Sequence, residues 1–332
     1  MKIGKRDVGH GHPCLIVAEL GLNHGGKLDT ALEMVRAVAE AGADAVKVQA
    51  FSTHTFTTDR AQYKGESQVK LFERYELSAI AFSVIADECK RLNLLFFGTP
   101  DSIEQANMLL AFGAPCLKVG SDDLVHLPLL AELATLGVPL ILSTGMADEA
   151  EIAEALLYTL AVPTILLHCV SEYPTQPIRA NVARMQSLKD RFGQVVGYSD
   201  HTDGNAAALG AIWAGAHVIE KHFTLDRRES GPDHAFSADQ RQLAALVHAA
   251  RGVETMLGTG IIDPTEAERE MRVTARRSIV APRAMKEGEE IKALAYKRPG
   301  DGLSPAWASK ILGHRITRAL AADEPFREGD WT

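Results

Sequence analysis

Short apolar runs alternate with amphipathic segments along the first two thirds of the chain. Eight runs stand out: CLIVAEL (14–20), AVKVQ (45–49), LLFFGTP (94–100), CLKVGS (116–121), PLILSTG (139–145), TILLHCVS (164–171), VVGYSDH (195–201) and HVIEKHFT (217–224). Between them, apolar residues recur at helical spacing. KLDTALEMVRAVAEAGA places Leu28, Ala31, Leu32, Val35, Val38 and Ala39 near one face, and DEAEIAEALLYTLA and DGNAAALGAIWAGA read the same way. Several of these segments close on Gly-Ala before the next run, as in AGADAVK and AGAHVIE, and glycine is a common C-terminal helix stop. Strands that are continuously apolar, rather than alternating, are buried on both faces, which marks a parallel sheet. Eight strand–helix units in roughly 250 residues predict a (β/α)8 TIM barrel. A doubly wound open sheet is the alternative, and the absence of GxGxxG after the first run weakens any dinucleotide-binding version of it.

A barrel of this kind carries its chemistry at the C-terminal ends of its strands. All eight expected tips are polar: Glu19 with Asn23 and His24; Lys47 and Gln49; Thr99 and Asp101; Lys118, Ser121, Asp122 and Asp123; Ser143 and Thr144; His168, Ser171, Glu172 and Tyr173; Ser199, Asp200 and His201; Glu220 and His222. Lys47 and Lys118, with Ser121, Ser143 and Ser199, form a donor set for an anion such as a phosphate ester. The alternative for the lysines is structural pairing with Glu19 or Asp123. His201 and His222 end neighbouring strands and are free to converge. Two imidazoles completed by water and substrate oxygens suit Mn²⁺ or another first-row divalent ion, the alternative being two hydrogen-bonded rim histidines. A Schiff-base lysine is a third possibility, but it needs an apolar setting, and both lysines keep polar company.

Composition narrows the partners. The 332 residues are 46% hydrophobic and 23% charged, with a formal net charge of −8. That balance argues against nucleic acid as the main partner. No apolar stretch approaches the length of a membrane span, and the N-terminus has no secretory h-region. Cys14, Cys89, Cys116 and Cys169 lack CxxC spacing and read as buried thiols in a reducing cytoplasm. The barrel domain is expected to span 1–258, ending near the helix SADQRQLAALVHAARGVETMLG. A linker (259–275) and a small, turn-rich domain (276–332) follow, the last short enough to need support from outside its own core.

The motifs IVAELGLNHGGKLDTALEMVRAVAEAGADAVKVQAF, QYKGESQVKLFERYELS, KVGSDDL, LILSTGMA, LLHCVSEYPT, GYSDHT, VIEKHFTLDR and GPDHAFS, in this order, resemble the sialic acid (N-acetylneuraminate) synthases. The tail SIVAPRAMKEGEEI…YKRPGDGLSP…ILGHRITRALAADEPFREGDW resembles that family's antifreeze-like (SAF) domain. The resemblance implies condensation of phosphoenolpyruvate with an open-chain N-acyl hexosamine, typically N-acetylmannosamine, to a nine-carbon 2-keto sugar acid plus phosphate. It implies a divalent metal, Mn²⁺ before Mg²⁺ or Co²⁺, on His201 and His222. The phosphoenolpyruvate contacts it implies are Lys47, Lys118, Ser121, Ser143, Ser171 and Ser199. The sugar contacts are Glu19, Gln49, Tyr173, Asp233 and Arg298, the last reaching over from the SAF domain of a swapped homodimer. Together with Asp123, the residues Glu19, Lys47, Lys118, His201 and His222 make the expected catalytic set. Two positions depart from the pattern: Ser121-Asp122-Asp123 where Ser-Gly-Glu is common, and Ser171 where some synthases have asparagine. SEYPT and GPDHAFS also look like relatives that make legionaminic or pseudaminic acid. A metal-dependent aldolase, a 3-deoxy sugar-acid synthase and a non-catalytic sugar-binding or coat-assembly relative are the remaining alternatives.

Overall fold

A computed structural model describes residues 1–63 and 65–332; Lys64 of the QYKGES motif lies outside them. Eight parallel strands close into a barrel: β1 (Leu15–Glu19), β2 (Ala45–Ala50), β3 (Leu95–Pro100), β4 (Leu117–Val119), β5 (Leu140–Ser143), β6 (Thr164–His168), β7 (Val195–Asp200) and β8 (Val218–His222). Neighbours in the barrel are neighbours in sequence, and β8 closes on β1 through pairs from Val218 with Leu15 to His222 with Glu19. The chain is therefore a (β/α)8 barrel. The helices are α1 (Leu28–Glu40), α2 (Ala79–Arg91), α3 (Ile103–Ala111), α4 (Leu127–Ala134), α5 (Glu149–Tyr158), α6 (Arg184–Phe192), α7 (Ala206–Trp213) and α8 (Gln240–Leu257).

Local chemistry sets the helix ends. Asp148 and Glu151 form a reciprocal capping box at the start of α5, and Asp239 and Gln242 do so for α8, each satisfying two otherwise orphaned backbone amides. Gly193 stops α6 in the left-handed conformation at φ +67°. At the N-terminal end of the barrel, Arg6 and Arg251 both pair with Asp44 at 2.7 Å. Asp44 also accepts from the Ile16 amide at 2.8 Å. This network ties an N-terminal hairpin, in which Lys2–Ile3 pairs with Arg6–Asp7, and α8 to the strand bottoms, the end that serves stability in such barrels.

The chain divides into two compact units, Met1–Gly258 and Thr259–Thr332. The segment 259–275, expected as a linker, belongs to the second unit and carries a helix, Glu266–Ala275. Thr265 and Glu268 form its capping box, a signal present in the sequence as T-x-x-E. The second unit has its own small core around Ile279, Ile291, Ile316, Leu320 and Phe326, with Trp307 edge-on to Trp331 at 6.1 Å. Among the described residues no helix is long and apolar enough to cross a membrane.

Candidate active site

The strand ends enclose a cavity of about 380 Å³ in the first unit, lined by Lys47, Gln49, Lys118, Ser121, Asp123 and Ser143 on one side and by Ser171, Tyr173, Ser199, His201, Glu220 and His222 on the other. Strand parity explains the membership. Side chains alternate across a strand, so Ser199 and His201 of β7 and its extension face inward, as do Glu220 and His222 of β8, while Asp200 and Lys221 face the helices.

Both lysines are nearly inaccessible, Lys47 at 4% and Lys118 at 1% exposure. Lys118 Nζ donates to Ser143 Oγ at 2.6 Å and to the Val119 carbonyl at 2.7 Å. Lys47 Nζ lies 2.8 Å from Glu19 Oε2 and 3.4 Å from Glu220 Oε1, and donates to Thr99 Oγ1 at 3.1 Å. The structural pairing of Lys47 with Glu19 thus exists, and the same lysine also lines the cavity; Glu19 sits behind it. Burial lowers the Lys47 pKa to about 8, against the raising influence of Glu220. For Glu220, burial pushes upward, but Lys47 and Lys118 outweigh it and hold the carboxyl at about 2. Burial, then the neighbouring Asp122, raises Asp123 to about 6.

A second feature is the close packing of three side chains around a glycine, which leaves no room for a methyl group. A Cβ at Gly145 would stand 2.5 Å from Ser171 Oγ, 2.8 Å from Ser121 Oγ and 2.9 Å from Cys169 Sγ. Ser121 Oγ accepts from the Gly145 amide at 3.1 Å, and Ser171 Oγ is buried with no hydrogen-bond partner among the described residues.

At the ends of β7 and β8, the His201 and His222 rings lie 5.6 Å apart, inclined at 62°. Tyr173 packs on His201 at 4.3 Å and Phe236 on His222 at 5.1 Å. His201 Nδ1 donates to the Val170 carbonyl at 2.8 Å, which leaves the lone pair of the neutral ring on Nε2. His222 Nδ1 is buried without a hydrogen bond, 3.6 Å from Asp233 Oδ2. Burial drives both imidazoles below their ordinary pKa, His222 well below, so both are neutral at pH 7. Two neutral, buried imidazoles fit a first-row divalent ion as donors. Among the described residues no group of three or more His, Cys, Asp or Glu is placed to hold a metal; the remaining positions would fall to water and substrate oxygens. Gly21, at φ +51°, permits the close approach here, since a Cβ would come within 2.8 Å of Asp233 Oδ2 and 3.1 Å of His222 Nδ1.

Not every polar tip faces the cavity. Asn23 Nδ2 donates to the Phe223 carbonyl and to Ser237 Oγ, each at 2.8 Å. His24 turns into its own loop, where burial lowers its pKa to about 4 and its Nδ1 accepts from Gly26. His168 points outward to the Ala180 carbonyl, so β6 presents Cys169 instead. Thr144 bonds the Leu167 carbonyl, Glu172 pairs with Arg179, and Asp200 pairs with Lys221. Asp233 neighbours His222, and Arg298 is an exposed residue of the second unit. Sequence reasoning left Cys169 and Phe236 out of the expected site and named Glu220 as a rim residue without a catalytic or binding role. Glu220 was legible, because it stands two residues from His222 on the same strand face.

Residues 34–262 match the model of the NeuB family. The chain is 41% identical over 329 residues to an uncharacterized protein of Methanocaldococcus jannaschii, spanning 98% of this chain and 96% of that one. It is 37% identical over 330 residues to the N,N'-diacetyllegionaminic acid synthase of Campylobacter jejuni, spanning 95% and 99%. It is similar to the crystal structure of the N-acetylneuraminic acid (sialic acid) synthetase of Leptospira borgpetersenii, with a TM-score of 0.76 and 37% identity over 82% of this chain and 94% of the other.

Proposed function

The chain belongs to the NeuB family, and from that premise we propose that it is an enzyme joining phosphoenolpyruvate to the open-chain aldehyde of an N-acyl hexosamine. The products are a nine-carbon 2-keto sugar acid and phosphate. The observation that carries this reading is a single cavity with two buried lysines and a set of serine hydroxyls facing two neutral imidazoles. An anion and a carbonyl substrate need those two halves.

Lys47 and Lys118 neutralise the phosphate and carboxylate of phosphoenolpyruvate, with Ser121, Ser143, Ser171 and Ser199 as hydroxyl partners. Gln49 and Tyr173, which line the cavity, orient the sugar, with Glu19 behind Lys47 and Asp233 beside His222 as their support. Carbon 3 of the enol forms the new bond to the aldehyde carbon as the C2–C3 π bond opens, and the aldehyde oxygen takes up a proton equivalent to the one the attacking water gives to Asp123. Water adds to carbon 2, the hydroxyl it leaves there loses its second proton to form the keto group, the bond from carbon 2 to the phosphate oxygen breaks, and phosphate leaves with the bonding pair and that proton. Asp123, ionised above about pH 6, accepts the proton of that water. His201 and His222 would hold a divalent ion, Mn²⁺ before Mg²⁺ or Co²⁺, which would supply Lewis acidity.

The sugar has two readings. N-acetylmannosamine would make this an N-acetylneuraminate synthase. A specific feature favours the second: Phe51, Phe56 and Met146 are apolar members of the cavity lining, and Phe51, Phe56 and Phe72 pack tilted or edge-on with ring centroids 5.0 to 5.7 Å apart. That apolar lining suits a methyl or a second acyl group, as in a 2,4-diacetamido-6-deoxyhexose, and so a legionaminic or pseudaminic acid product. The second unit is assigned as an SAF domain that, in a swapped homodimer, brings Arg298 to the sugar, and the enzyme as cytoplasmic. The test is phosphate release from phosphoenolpyruvate with N-acetylmannosamine and 2,4-diacetamido-6-deoxy sugars, each with Mn²⁺ and with chelator. Sugar-dependent release that chelator abolishes supports the proposal, and the preferred sugar names the product. No release from folded, metal-loaded protein with any of these sugars overturns it.

A further inference from the structure

The ladder between β7 and β8 ends one residue short of the two histidines. Its pairs run from Tyr198 with Ile219, through Ser199 with Glu220, to Asp200 with Lys221. Beyond that point the strands part. The His201 carbonyl accepts from the Thr175 amide at 2.9 Å, and the His222 carbonyl accepts from the Ala238 amide at 2.8 Å. Each histidine is thus drawn towards a different loop as soon as the ladder stops.

At the last rung, on the face turned away from the cavity, stands an ion pair. Lys221 Nζ lies 2.7 Å from Asp200 Oδ2, and the side chains are 1% and 0% exposed. Lys221 spends its other two protons on the carbonyls of Thr202, at 2.6 Å, and Gly204, at 2.9 Å. Asp200 Oδ1 accepts from both the amide and the hydroxyl of Thr202, at 2.9 and 2.8 Å. Every donor of the ammonium is used, and the backbone on both sides of His201 is fastened to β8 next to His222. A buried ion pair is weak evidence for stability in itself, because apolar side chains of similar volume often serve as well. What it does here that apolar packing cannot is hold five polar groups of the 200–204 segment at set distances.

We infer that the Lys221–Asp200 pair is a positioning device that sets the separation and tilt of the His201 and His222 imidazoles. It acts through the backbone and touches neither ring. The inference rests on the two-imidazole reading of the site, so its test includes a measurement that holds without a metal.

The first variant is the double substitution Asp200→Leu with Lys221→Met, which leaves no lone buried charge. The second is Asp200→Asn, which keeps shape and weakens the pair. Crystal structures of the metal-free proteins give the ring separation, titration with Mn²⁺ alone gives its dissociation constant, and steady-state kinetics give KM for phosphoenolpyruvate. The double variant is expected to move the rings by more than ~0.5 Å, the tolerance of a productive site. It is expected to weaken Mn²⁺ binding about 10- to 100-fold, the usual cost of losing an outer support. KM for phosphoenolpyruvate should stay put, since Lys47 and Lys118 are untouched, and Asp200→Asn should fall between. A folded double variant with the ring separation still near 5.6 Å and wild-type Mn²⁺ affinity overturns the inference. Should the double variant not fold, Asp200→Asn decides by the same readouts. If the wild-type protein binds no Mn²⁺, the metal reading fails, and the ring separation alone decides this one.

Discussion

Lys47 is the residue whose removal tests the electrostatics of the barrel interior most directly. Its ammonium stands between Glu19, at 2.8 Å, and Glu220, at 3.4 Å, with side-chain exposures of 5%, 0% and 6% for the three groups. Lys47→Met keeps the length of the stem and removes the charge, stranding two carboxylates in a dry site. Breaking a buried pair from one side costs about 3–5 kcal/mol. For a unit the size of Met1–Gly258, each kcal/mol shifts Tm by roughly 2–4 °C, so a fall of about 10 °C is expected at pH 7.5. Adding Glu19→Gln neutralises one stranded carboxylate and should recover several degrees, because contacting residues are not additive. Differential scanning calorimetry of the three proteins reads this out. A single variant melting with the wild type, or a double variant melting below the single one, would show that Lys47 does not offset those carboxylates.

Four further outcomes are expected. KM for phosphoenolpyruvate should rise above about pH 8, where Lys47 loses its proton, and initial rates from pH 7 to 9.5 check this; a flat KM removes Lys47 from anion binding. Asp123→Asn should lower kcat by about 10²- to 10⁴-fold and abolish an acid limb near pH 6. The folded Asp123 pKa is raised, so its contribution to stability is full below the unfolded pKa and is lost as pH rises through about 6; the Asn variant should gain in Tm relative to wild type from pH 4 to pH 8. Gly145→Ala places a methyl against Ser121, Ser171 and Cys169, and isothermal titration should show loss of phosphoenolpyruvate binding in a folded protein, whereas wild-type affinity would move the anion elsewhere. Arg298→Ala should raise KM for the sugar and spare phosphoenolpyruvate, and unchanged kinetics would take Arg298 out of the site.

How far the sequence reaches is visible in β6 and β7. The barrel and the polar rim were legible, because eight apolar runs alternate with eight amphipathic segments and every run ends in polar residues. Lys47, Lys118, Ser143, Ser199, His201 and His222 were legible as rim residues for the same reason, and all of them line one cavity. Within each tip, however, the chain alone does not say which parity faces the lumen. A half-buried strand announces its inner face by alternation, but these strands are buried on both faces, so hydropathy is silent on direction. His168 and Cys169 therefore exchange roles, and Asp200 becomes the partner of Lys221 instead of a rim carboxylate. The sequence by itself determined the architecture and the stock of reactive groups, since periodicity and strand order are local properties of the chain. Only the tertiary structure decided the pairing of Lys47 with Glu19 and Glu220, the tight packing at Gly145 and the spacing of the two imidazoles. Those depend on closure of β8 against β1 and on where neighbouring strands stop, and Glu19 and Glu220, 201 positions apart, meet through one lysine only when the ring is complete.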